Sequence, residues 1–145
     1  MILQSIKTSL QEISRKIQTI NIVHKRPITI IGVTKFQPIE HLNAAYLAGI
    51  KNIGENRVQE AAKKIKQFKY KEQCTTHLIG HLQTNKTKKA VSLFDNIQTV
   101  DTLKLAEKIS SEAKKINKKQ KIYLQINISQ EPQKHGFDKK EIIFL

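Results

Sequence analysis

Ile28-Thr29-Ile30-Ile31-Gly32-Val33-Thr34-Lys35, set between Pro27 and Pro38, is the stretch on which the fold turns. A β-branched apolar run of this length predicts a buried strand covered on both faces, as in a parallel sheet. Lys35 closes the run. An α/β protein collects its ligands at the carboxyl ends of such strands. Partial burial there disfavours the ammonium and leaves free amine to attack an aldehyde, the chemistry of a Schiff-base lysine. The alternative is a strand-end lysine that turns out into solvent, and position alone leaves both readings open.

Working outward, Ile6, Leu10, Ile13, Ile17 and Ile20 recur at spacings of four and three, which predicts one apolar stripe on an N-terminal helix. Downstream, Pro38 starts a helix that runs to about residue 48 and is ended by Gly49. Short strands are predicted at 51–54, 77–80, 96–99 and 122–128. Helices are predicted at 57–69, 85–94 and 102–117, the last opened by Asp101. Strands alternate with helices and no Asn-Gly or Asp-Gly hairpin turn occurs, so the strands are parallel with right-handed crossovers. Five βα units fit part of a barrel or an open doubly wound sheet, and periodicity does not choose between them.

The 145 residues have room for one domain, 1–145, with a real core. Net charge is +14, which raises the prospect of a nucleic-acid or acidic-membrane surface. The kind of basic residue argues otherwise. Of 26 lysines and arginines only Arg15, Arg26 and Arg57 are arginine, leaving 23 lysines, whereas phosphate and base recognition favours the guanidinium fork. No specific nucleic acid is expected, only salt-sensitive adsorption to polyanions. Cys74 stands alone, so neither a disulfide nor a cysteine metal site is available within one chain. The amphipathic N-terminus and the absence of any 18-residue apolar run argue against a signal peptide and a helical span. A reducing cytoplasm fits these features.

Several longer strings go further. VTKFQP (33–38), AYLAGIKNIGENRVQEAAKK (45–64), HLIGHLQTNK (77–86), FDNIQTVDTLKLAEKI (94–109) and LQINISQEPQKHG (124–136) resemble, in order and spacing, the pyridoxal phosphate homeostasis proteins. That family is related to the N-terminal barrel of alanine racemase, and the resemblance covers about residues 1–142. It implies an incomplete (β/α) TIM-type barrel with about five βα units present and the last strands missing. It also implies pyridoxal 5'-phosphate as cofactor, held as a Schiff base on Lys35. Thr34 stands where many members have Ser, and Gln37 where a second lysine is common.

On a parallel barrel the strand carboxyl ends form one rim, which should receive Lys35, Glu55, Asn56, His81, Asp101 and the 127–129 stretch. Asn56 follows the second strand, where its amide can reach the cofactor ring or its phenolic oxygen. The resemblance supports that role, and a turn or cap role stands beside it. His81 could contact the ring or relay protons, or be a hydrogen-bonded structural imidazole. Asn127 is assigned to the site by its place on this rim, and Lys134 through the resemblance. His77 and His81 would make a zinc pair only on a helix. On a strand, residues four apart lie about 13 Å from one another, so metal binding is not expected of them.

The Ser/Gly and Arg-Ile-Gly segments that grip the phosphate in the family do not occur, and no Walker or GxGxxG loop replaces them. The chain thus keeps the amine and lacks the anchor, and is expected to hold the cofactor weakly or not at all by itself. A helix start is predicted at 137–141, followed by bare apolar residues at 142–145. Such an ending suggests a chain stopped in mid-element. The expected function is intracellular cofactor homeostasis without amino-acid turnover, with recipient apo-enzymes as transient partners. The full-length form is expected to be a monomer, and this portion to self-associate through open edges. A racemase needs two bases, and Tyr46, Tyr70 and Tyr123 all fall in helix or strand, so no enzyme is expected. The alternatives are a non-functional or split fragment, and a basic module adsorbing nucleic acid.

Overall fold

The computed structural model describes residues 1–20, 26–138 and 140. Five parallel strands lie side by side in chain order: β1 (Ile31–Val33), β2 (Asn52–Glu55), β3 (Thr75–Leu78), β4 (Asn96–Val100) and β5 (Lys121–Leu124). Helices α1 (Ile2–Ile20), α2 (Ile39–Leu47), α3 (Val58–Gln67), α4 (Thr87–Leu93) and α5 (Leu103–Lys115) complete the βα alternation. Sequential parallel order with a helix between each pair of successive strands is the arrangement of an incomplete (β/α) barrel. Among the described residues, no helix is long and apolar enough to cross a membrane.

Side chains alternate across the sheet and fix which face each residue serves. Leu78 and Ile97 turn outward into the main core with Val58, Ile65, Val91, Phe94, Leu105 and Ile109 of the helical layer. Ile53 joins Leu42 and Phe68 in a second, smaller cluster. A Cβ on Gly54 would meet Ile31 and Ile79 on the opposite, inner face, at 3.0 and 3.1 Å. That inner face also carries a polar ladder. His77 Nε2 lies 3.0 Å from Asn52 Oδ1 and its Nδ1 3.1 Å from Gln98 Nε2, linking β2, β3 and β4.

Burial holds the His77 imidazole below its ordinary value, while the charge of Asp95 pulls the other way. The unfolded chain therefore takes up a proton at higher pH than the fold does. Stability is present above the ordinary imidazole value of 6.5 and declines as pH falls through it. Thermal melts on either side of that pH should show the loss in wild type and a flatter profile in His77→Gln. An equally steep profile in the variant would assign the effect elsewhere.

The β1 expectation needs correction. The strand is three residues long rather than seven, and its inner face is open, with Val33 49% exposed. It pairs with β2 alone, so burial is one-sided. β5 is likewise shorter than 122–128, and all four of its residues are exposed at the other edge. The stripe on α1 is partly buried at Ile6, Leu10 and Ile17, while Ile13 and Ile20 face solvent. The predicted helix start at 137–141 is replaced at its first residue by a parallel bridge from Phe137 to Ile126. The run 142–145 lies outside the described residues.

Candidate functional site

The Lys35 turn is held on both flanks. Thr34, whose backbone N–H donates to Gly54 O at 3.0 Å, closes a tight turn by accepting at its carbonyl from Gln37 N, also at 3.0 Å. Lys64 Nζ, from α3, donates to that same Thr34 carbonyl at 2.6 Å and to Glu55 Oε1 at 2.8 Å. On the other flank, Phe36 N donates to Glu60 Oε1 at 2.7 Å. Phe36 has φ near 60°, a left-handed conformation that a bulky residue adopts only when its surroundings impose it. The Glu60 bond is that imposition, and it holds the Glu60 carboxyl below the usual range.

Lys35 itself is exposed, which corrects the expectation of partial burial. The physical reason is the edge position of β1: Lys35 stands in the turn just beyond the strand, next to the exposed Val33. Glu55 is also not where the rim expectation put it. It shares the outward parity of Ile53, is 1% exposed, and accepts from the Thr34 hydroxyl at 2.6 Å as well as from Lys64.

Asn56 follows β2 with Oδ1 buried and without a hydrogen-bond partner. A buried unsatisfied amide costs about 1–3 kcal/mol, so it marks a place where a ligand group would be welcome. Gly80 lets its own backbone pack directly on that of Asn56: a Cβ there would come within 2.2 Å of the Asn56 backbone carbonyl oxygen. His81, after β3, does not meet His77. Its Nδ1 lies 3.1 Å from Asp101 Oδ2, and its ring stacks on His135 at 4.1 Å between centroids. Asp101 was expected to open α5, yet Thr102 does so, accepting from Leu105 N. This leaves the Asp101 carboxylate, 7% exposed, to face the rim.

Asn127 and Lys134 sit in the loop after β5. The Asn127 amide donates to Glu131 O at 2.9 Å and Lys134 O at 3.3 Å, folding the loop onto itself. Lys134 is ion-paired with Glu131. Both line an open cleft of about 620 Å³ with His135. The residues that sequence reasoning missed are Glu60 and Lys64, hidden in a lysine-rich helix, and His135, passed over for its neighbour Lys134. The four-residue spacing of Glu60 and Lys64 was the available signal.

A family model of the alanine racemase N-terminal domain matches residues 8–144. The chain is 37% identical to a pyridoxal phosphate homeostasis protein of Pasteurella multocida over 97% of its own length and 62% of the relative's. It is 36% identical to the protein of that name from Synechocystis over 79% of this chain and 53% of that one. PipY of Synechococcus elongatus, solved with PLP bound, superposes with a TM-score of 0.80 at 32% identity, over 94% of this chain and 60% of PipY. Alanine racemase of Clostridium difficile, at 19% identity and a TM-score of 0.67, shares the fold. The chain thus spans a little over half the length of the curated relatives it matches. It belongs to the alanine racemase N-terminal domain family.

Proposed function

We propose that this chain is the lysine-bearing portion of a cytoplasmic pyridoxal phosphate homeostasis protein, holding the cofactor as a Schiff base on Lys35 and passing it to recipient apo-enzymes. The relatives' names and the PipY structure with PLP bound support the cofactor. The observation that carries the role of Lys35 is its turn: an exposed amine at the carboxyl end of β1, on a backbone clamped by Lys64 and Glu60. Exposure keeps the amine reachable, while the clamp fixes where it projects.

The residues present fit the group. The unpartnered Asn56 Oδ1 leaves one end of the amide free for a hydrogen bond to a polar ring substituent, with its O and N interchangeable by a flip. When bound, the cofactor supplies an aldehyde. Lys35 Nζ, as free amine, adds to the carbonyl carbon and one water leaves, and hydrolysis reverses the step for release. His81, Asn127 and Lys134 complete the proposed polar rim.

Amino-acid turnover is not proposed. Tyr46 and Tyr70 stack on one another at 4.1 Å in the outer cluster with Phe68 and Lys51, next to the amino ends of β2 and β3 rather than their carboxyl ends. Tyr123 is on the β5 edge. Visible absorption developing when the chain is mixed with pyridoxal phosphate, and lost in Lys35→Ala, is the expected result. Equal absorption in the variant overturns the assignment.

A further inference from the structure

We propose that His81, Asp101 and His135 form a binding site for a divalent transition-metal ion such as Zn²⁺, whose ligands do not include the Lys35 amine. The three side chains come from the loop after β3, the end of β4 and the loop after β5. Each offers one ligand atom, and these atoms lie within 4.8 Å of one another. Asp101 Oδ2 is 3.1 Å from His81 Nδ1 and 3.9 Å from His135 Nδ1. Ligand atoms on a tetrahedral zinc ion, with bonds of about 2.0–2.1 Å, stand about 3.3 Å apart. The set is therefore within small side-chain rotations of coordination. The imidazoles can make those rotations, being 44% and 62% exposed, while the carboxylate is fixed at 7%.

The choice of partners is the second observation. In a chain of 23 lysines, Glu55, Glu112 and Glu131 are each paired with an ammonium. Among the described residues Asp101 is instead paired with two imidazoles. Of the two stacked rings that share this carboxylate, only His81 lies within hydrogen-bond distance of Oδ2, and His135 stands off at 3.9 Å. A metal ion would engage both nitrogens and the carboxylate together. Two histidines and one carboxylate leave further coordination positions for water or a small ligand, and suit Zn²⁺ or Co²⁺ rather than Mg²⁺ or Ca²⁺. A net charge of +14 repels free cations, so affinity must come from the ligand bonds, and from deprotonated imidazoles.

The test titrates untagged chain with Zn²⁺ by calorimetry and with Co²⁺ by visible absorption. One ion per chain is expected, with thermal stabilisation by Zn²⁺ that grows with its concentration. His81→Asn, Asp101→Asn and His135→Gln should each weaken binding more than about 10-fold. His41→Ala, on α2, should leave it unchanged, as should Lys35→Ala, so failure here and failure of the cofactor reading are told apart. Should His81→Asn fail to fold by circular dichroism, His135→Gln, on an exposed loop, decides the point. Absence of binding in the wild type, or full affinity in any folded variant of the three, overturns the proposal.

Discussion

Lys64→Met is expected to lower stability by about 3–5 kcal/mol, because it strands a buried carboxylate. Glu55 is 1% exposed, and Lys64 Nζ at 2.8 Å is the cation that neutralises it. Thr34 donates a second bond to the same oxygen, yet a hydroxyl cannot replace a charge. Lys64 also holds the Thr34 carbonyl, so the turn carrying Lys35 should loosen with it. Denaturant unfolding of the single variant against Glu55→Gln/Lys64→Met separates the causes. The double variant removes the stranded charge but leaves an acceptor for Thr34, and should recover much of the lost stability. A single variant within about 1 kcal/mol of wild type would show that solvent reaches Glu55.

Phe94→Ala should cost about as much, 3–5 kcal/mol on the order usual for a truncated core aromatic, by a different route. Phe94 is fully buried where α4 hands over to β4, in the core that joins the sheet to α3, α4 and α5. Its carbonyl and that of Val91 accept from Lys118 Nζ at 2.7 and 2.6 Å, so the segment is anchored by backbone as well as side chain. The cavity would therefore be retained rather than closed by collapse. Urea unfolding measures the loss. Loss of under about 1 kcal/mol would mean that the helical layer relaxes into the space.

The order of elements was legible because short strand segments alternate with helical apolar stripes, as in Val58, Ala61 and Ile65 of α3. What escaped is what depends on which elements stand next to one another. The run 28–34 reads as a strand with two covered faces, but among the described residues it is the edge of the sheet, and Val33 and Lys35 are exposed. Glu55 reads as a rim residue because it precedes Asn56. The parity of Ile53 turns it outward to α3 instead. The meeting of Asp101 with His135 joins positions far apart in sequence, and only the parallel stacking of β3, β4 and β5 brings their loops together. Periodicity carries no information about such a meeting.

The central claim is that one amine among 23 lysines is set apart by its place at the end of β1. Incubating the chain with sub-stoichiometric pyridoxal phosphate, reducing with borohydride and mapping the labelled peptides tests it directly. The prediction is a reduced pyridoxyl group concentrated on Lys35, and loss of that label in Lys35→Ala without its transfer to another single lysine. Label spread over the exposed lysines of α3, α4 and α5 in proportion to their number, with Lys35 no richer than the rest, would contradict the account.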